Sequence, residues 1–248
     1  MSIQVPTAAQ LAVGSFNATS TSNKVDWGVD VAVRDKTTWG SGKFQEFAPT
    51  TRALRVALGG FNDYAAAAWD EYARTNAGSA QIVTLAYADS TTAGTGAIMA
   101  NGLMPQGPSF NASVGDLPTI APTIVGSTIY PPVAEGQVTQ TTGTAITATV
   151  NTTPVQLGQL AATQHIVAAI HIFDYSGTGT LTFQIQSSSS SGGSYTNRGS
   201  AGTALSAAGA QWLSATSITT TNTWWRLNVT ASASPSATVL ASLAIFTP

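Results

Sequence analysis

Charge is confined to one stretch of this chain, and that confinement limits what the rest can fold into. Of the twenty Lys, Arg, Asp and Glu residues, fourteen lie between Lys24 and Arg74. In the 112 residues from Gln137 to Pro248, only Asp174, Arg198 and Arg226 are charged. Soluble domains usually carry about a quarter charged residues; this chain carries 8%. It therefore reads as two unlike parts. One is a mixed-charge module with a helix. The other is a nearly neutral β module rich in Ser, Thr, Ala and Gly. So little charge gives weak protection against self-association, which points to an assembly subunit rather than a free enzyme.

A length of 248 residues holds one large or two small domains. The hydrophobic 43% is rich in Ala, and the larger apolar residues come in short groups. Such groups suit thin sandwich cores. The net charge of −2 provides no basic footprint for nucleic acid. With no cysteine there are no disulfides or thiolate metal sites. The first residues show no basic and apolar signal-peptide pattern. No run of about 18 apolar residues suggests a membrane span, so no membrane insertion is expected.

Along the chain, residues 1–23 read as an extended polar N-terminal arm. Val25, Trp27, Val29, Val31 and Val33 alternate as one face of a strand, with Asp26 and Asp30 on the other. A long loop over about 35–51 holds Trp39, Phe44 and Phe47. A loop has no core of its own, so these aromatics are candidate assembly contacts. A second strand, Arg52 to Leu58, ends at Gly59-Gly60. Asn62 or Asp63 then caps a helix over about 63–76, whose apolar face is Trp69, Tyr72 and Ala65 or Ala73. Strands follow at Gln81–Tyr87, at Ile98–Met104 with a turn possible at Asn101-Gly102, at Phe110–Val114 and at Thr123–Ile129. Residues 131–136, around Pro131-Pro132, read as a linker because paired prolines do not enter a central strand. Beyond it, short β runs separated by Gly and Ser turns predict an antiparallel β-sandwich over 137–248, Ig-like or jelly-roll-like. The chain is thus expected to be mainly β.

Chemistry is sparsely signalled. His165 and His171 are the only histidines, six apart on one strand run, and lack a convincing third metal ligand. The serines have no His and acid placed to activate one. Asp70-Glu71 are adjacent on the helix and project about 100° apart, so a solvated face is expected rather than a carboxylate dyad. No catalytic, cofactor-binding or metal-ligating residue is assigned, and no cofactor is expected. Trp224-Trp225-Arg226 is the most suggestive cluster of the second module. On a strand the two indoles face opposite ways, one into the core and one outward. With Tyr195 they are candidate surface aromatics for contacting a glycan.

The order of elements over residues 1–130 resembles the major tail tube proteins of long-tailed, siphovirus-like bacteriophages. The resemblance rests on the arm, Val25-Asp-Trp-Gly-Val-Asp-Val, Trp39-Gly-Ser-Gly-Lys-Phe, and Arg52-Ala-Leu-Arg-Val-Ala-Leu-Gly-Gly-Phe. It continues in the capped helix and in Phe110-Asn-Ala-Ser-Val-Gly-Asp-Leu-Pro. It implies a β-sandwich with one flanking helix over 24–130, stacked hexameric rings joined through arm and loop, and a tube that conducts DNA. The 137–248 module would then be an outer decoration domain. The implied partners are copies of the chain, tape measure, tail terminator and baseplate proteins, and passing DNA that is not bound tightly. The implied setting is the virion, assembled in the host bacterial cytoplasm. The competing readings are a capsid decoration or other virion surface protein, and a two-module carbohydrate-binding protein.

Overall fold

The computed structural model describes residues 9–35, 47–61, 68–87, 92–105, 107, 109–111, 119–126, 133–216 and 218–247. The chain is mainly β, with antiparallel sheets and one short described helix. Two short strands come first, β1 (Gln10–Val13) and β2 (Phe16–Asn17). The long strands β3 (Ser22–Asp35) and β4 (Phe47–Phe61) precede helix α1 (Trp69–Thr75). Strands β5 (Ala80–Ala86), β6 (Gly96–Leu103), β7 (Ser109–Asn111), β8 (Thr119–Ala121) and β9 (Thr123–Gly126) follow. The remainder comprises β10 (Val133–Gln140), β11 (Val150–Asn151), β12 (Val155–Gln156), β13 (His165–Gly177) and β14 (Thr180–Ser188). It ends with β15 (Thr196–Asn197), β16 (Gly209–Ala215), β17 (Trp224–Ser232) and β18 (Pro235–Phe246).

Two compact units result. The first draws on 1–21, 81–101 and 133–248, the second on 22–80 and 102–132. In the first unit the strand order is β16-β13-β18-β10-β6, continued by β5, β1 and β2. A smaller sheet, β11-β17-β14-β15 with β12 also on β17, covers one face. Period-two alternation makes this a sandwich. Ile166, Ala168, Ile170 and Ile172 of β13 face Leu181, Phe183 and Ile185 of β14 and Trp225, Leu227 and Val229 of β17 in one buried core. The other face of β13 is apolar too. Val167 and Ala169 pack with Ile82 and Met99, and Phe173 packs against Ala12, Ala86 and Leu240. The larger sheet therefore curls until β1 and β5 cover β13. This is why His165–Phe173 reads as a nearly unbroken apolar run: it is buried on both faces.

The second unit is built on the β3–β4 hairpin. β4 pairs with β9 and β8, β8 with β7, and β9 with Gly102–Leu103 at the end of β6. Val56, Leu58, Met104 and Ile124 are buried, as are Trp69 and Ala73 of α1. The helix follows Ala68, whose backbone is extended and which offers no side-chain cap. The expected caps Asn62 and Asp63 lie outside the described residues.

Several expectations need correction. The expected arm over 1–23 contains β1, whose four residues are all buried and pair with β5. Leu11, Ala12 and Val13 are too apolar to be left in solvent once β5 offers an edge. The expected linker over 131–136 carries Val133–Gly136 as part of β10, paired with β6. The described pairing begins at Val133. Asn101-Gly102 does not turn; β6 runs through it. Asp70 is buried rather than solvated, 4% exposed at its side chain, and pairs with Arg74 at 3.0 Å on the next turn.

Candidate functional site

Two surfaces concern function. The first is the hairpin. β3 and β4 are 14 and 15 residues long and stay paired from Ser22↔Gly60 to Asp35↔Phe47. At about 3.3 Å per residue, β3 extends about 45 Å. Beyond Arg55, toward Phe47, β4 pairs only with β3 among the described residues. This part is a two-stranded ribbon. Register shifts near Ser22/Lys24 and Val31/Val33 mark bulges, and the second accommodates Pro49 inside the ribbon. β3 has no described partner on its other edge.

The expected loop over 35–51 is therefore shorter, because Asp35 and Phe47 are strand residues. The polar segment Ala48-Pro-Thr-Thr lies in β4, where Ala48 and Pro49 pair with Arg34 and Val33 of β3. Phe47 opens β4 instead of belonging to the loop. Trp39 and Phe44 lie outside the described residues, and so does the Phe47 side chain.

The second surface is the outer face of the small sheet. Strand alternation separates the tryptophans. Trp225 is fully buried, with its Nε1–H donating to the Gly158 carbonyl at 2.8 Å. Trp224 is half-buried and lies on the opposite face with Arg226. The expectation that Trp225 is a surface contact is thus corrected: it is a core residue. Tyr195, on the turn before β15, stacks over the Arg226 guanidinium, 3.8 Å from ring centroid to Cζ. Its hydroxyl donates to the Ser191 carbonyl at 3.0 Å.

A row of side chains crosses three strands on this face. Arg226 Nε donates to Gln186 Oε1 at 3.0 Å, and Gln186 Nε2 donates to Asn197 Oδ1 at 2.8 Å. In the neighbouring row Asn228 Nδ2 donates to Asn151 Oδ1 at 2.9 Å. Partial burial raises the Tyr195 hydroxyl pKa, with the Arg226 charge opposing it. Partial burial lowers that of Arg226, against the opposite pull of Tyr195. Arg226 stays cationic at any ordinary pH. From sequence, Gln186 was legible as a strand residue and Arg226 as part of the Trp224-Trp225-Arg226 cluster, while Asn197 carried no signal. Their meeting depends on register, and Tyr195 reaches Arg226 through the turn after β14.

The histidines take separate roles. His165 meets Phe246 edge-on, ring centroids 5.2 Å apart. His171 is fully buried. Its Nδ1–H donates to the Gly14 carbonyl at 2.7 Å, and its Nε2 lies 2.8 Å from the Thr84 hydroxyl. A carbonyl only accepts, so Nδ1 carries the proton and Thr84 donates to Nε2. Burial lowers the His171 pKa to about 4, with the Gly14 bond opposing the shift. Among the described residues no group of three or more His, Cys, Asp or Glu is placed to hold a metal, and no helix is long and apolar enough to cross a membrane.

Comparison with family models gives no match. Comparison with curated proteins gives none either. Among solved structures, the chain is similar to the Dit protein of SPP1, described as a paradigm of the hub adsorption apparatus in phages infecting Gram-positive bacteria. The identity is 9%, with 96% of this chain and 99% of that chain covered, at a TM-score of 0.33. A likeness at that level does not establish a common fold.

Proposed function

We propose that this chain is a structural subunit of a phage tail that assembles with copies of itself, as stacked rings forming the tube through which DNA passes. The observation that carries the reading is the β3–β4 ribbon. A long strand with an unpartnered edge is a template for pairing with another chain, and proteins that remain monomeric usually shorten, cover or charge such an edge. Here β3 extends for 14 residues. Its Lys24 and Asp26 pair with each other at 2.9 Å, leaving no net repulsion at that point. Two further features support assembly over catalysis: the low charge of the whole chain and the tail-tube-like order of its first 130 residues. The ribbon and the 36–46 segment at its tip, with Trp39 and Phe44, are the proposed contacts between copies. The remaining partners would be the proteins that cap and terminate a tail, and the site of action the virion.

The test replaces residues 37–45 with a two-residue Asn-Gly turn, which suits a hairpin. The shortened chain should keep its thermal transition yet sediment as a monomer at concentrations where the natural chain forms large assemblies. Equal assembly by both chains would remove the ribbon tip from the account.

A further inference from the structure

We propose that the outer face of the small sheet in the first unit binds an acidic saccharide, with Arg226 taking its carboxylate and Trp224 lying beside its ring. The proposal is independent of ring assembly. It starts from the polarity of the side-chain row on that face. Amide oxygen and nitrogen are easily interchanged in a structure, but here an arginine decides the matter. Arg226 has only donors. Its bond to Gln186 must therefore end on Oε1, which points Gln186 Nε2 toward Asn197. Asn197 must answer with Oδ1, so its Nδ2 points away from the row.

The amide oxygens inside the row thus face neighbours, and the groups left over are donors. They are the Nη atoms of Arg226, which have no described partner, and Nδ2 of Asn197. Trp224, two residues before Arg226 on the same face and about 7 Å away along the strand, adds an indole N–H that has no acceptor among the described residues. Carboxylates are missing from this region. The sole acid from Gln137 to Pro248 is Asp174, which lies on β13 of the other sheet. With its leftover amide and indole N–H groups donating and the Arg226 charge lacking a nearby acid, this face suits a ligand that brings acceptors and negative charge.

Three features narrow that ligand to a sugar acid. The guanidinium offers the planar fork that matches a carboxylate in two-point contact. Tyr195 stacked on its face and tied to Ser191 holds that fork in place before a ligand arrives. The half-exposed indole provides an apolar plane at the distance of a single sugar ring, and Asn197 provides donors for hydroxyl and ring oxygens. The face is an open sheet surface, which suits an extended glycan chain better than a small molecule needing enclosure.

The experiment titrates the full chain with tri-galacturonate, following tryptophan fluorescence and heat, with maltotriose and polyglutamate as comparisons. Saturable binding of the acidic trimer with a Kd of about 1 mM or tighter, at least about tenfold tighter than either comparison, is expected. Arg226→Gln and Asn197→Asp should each weaken it about tenfold or more, while Asp174→Asn leaves it unchanged. Asn197 is exposed, so its variant tests the site even if Arg226→Gln disturbs folding. Equal binding of maltotriose would overturn the role of Arg226. Equal binding of polyglutamate would overturn the role of the sugar ring. No saturation by tri-galacturonate up to ~10 mM would overturn the site as a whole.

Discussion

His171 shows how one residue fastens the layers of the first unit. Its ring joins β13 to the turn after β1 through Gly14 and to β5 through Thr84, and its complete burial favours the neutral form. The folded pKa is about 4 against 6.5 for a free imidazole. The unfolded chain therefore takes up the proton first as pH falls. Stability from the neutral ring is complete above about pH 6.5, declines down to pH 4, and from this group falls no further below that. The shift corresponds to about 3 kcal/mol. Urea unfolding at pH 7 and pH 4.5 should show most of this loss, and His171→Gln should flatten the difference. A variant that keeps the natural pH dependence would contradict the assignment. The tryptophan pair divides in the same residue-level way. Trp225→Ala empties a core position and should cost about 3–5 kcal/mol. Trp224→Ala, on the outer face, should cost less than about 1 kcal/mol. Equal losses in chemical denaturation would place both rings in the core and remove the outer face as a site.

At the scale of elements, the close approaches are the sensitive points. A Cβ at Gly136 on β10 would run into the Leu243 carbonyl of β18. Gly136→Ala should therefore lower stability by about 1–3 kcal/mol, read from the denaturation midpoint, whereas Gly192→Ala, with open space around it, should leave that midpoint unmoved. Most strands were legible because alternation and apolar runs are local signals: Val25 to Val33, Gln81 to Ala86 and Trp224 to Thr230 all lie in strands. The ends of β3 and β4 were not, since Ala48-Pro-Thr-Thr carries no strand pattern and is held only by its partner. β1 was hidden because four small or mixed residues, Gln10 to Val13, reveal burial only when β5 is beside them. Between Thr144 and Leu160, the short β runs expected beyond the linker reduce to β11, β12 and isolated bridges at Ile146 and Leu160. Val150 to Gln156 run along β17 in two short pieces, while Ile146 bridges to Ala237 of β18 in the other sheet. At the outer face, the aromatics Tyr195 and Trp224 were legible and the amide row was not. Strand registers and a turn bring Arg226, Gln186, Asn197 and Tyr195 together, and no single window of sequence contains them.

At the scale of the molecule, chain order and compact units do not coincide. The 137–248 segment was expected to fold alone as a sandwich. It carries the core between its two sheets, yet Val167, Ala169 and Leu240 on its other face pack with residues before Gln137. The isolated fragment should unfold cooperatively at a lower temperature than the full chain and self-associate through that bared face; equal melting temperatures would contradict this. The seven cations and seven acids between Lys24 and Arg74 cancel by count, so the proposed conduit should bind free duplex weakly near physiological salt. Binding in a mobility-shift assay well below the micromolar range usual for non-specific binders would contradict an inert wall. The central claim is self-assembly through the β3–β4 ribbon, and electron microscopy of the purified natural chain tests it most directly. Rings and stacked tubes of uniform width are the predicted result; isolated single copies at every concentration would contradict it.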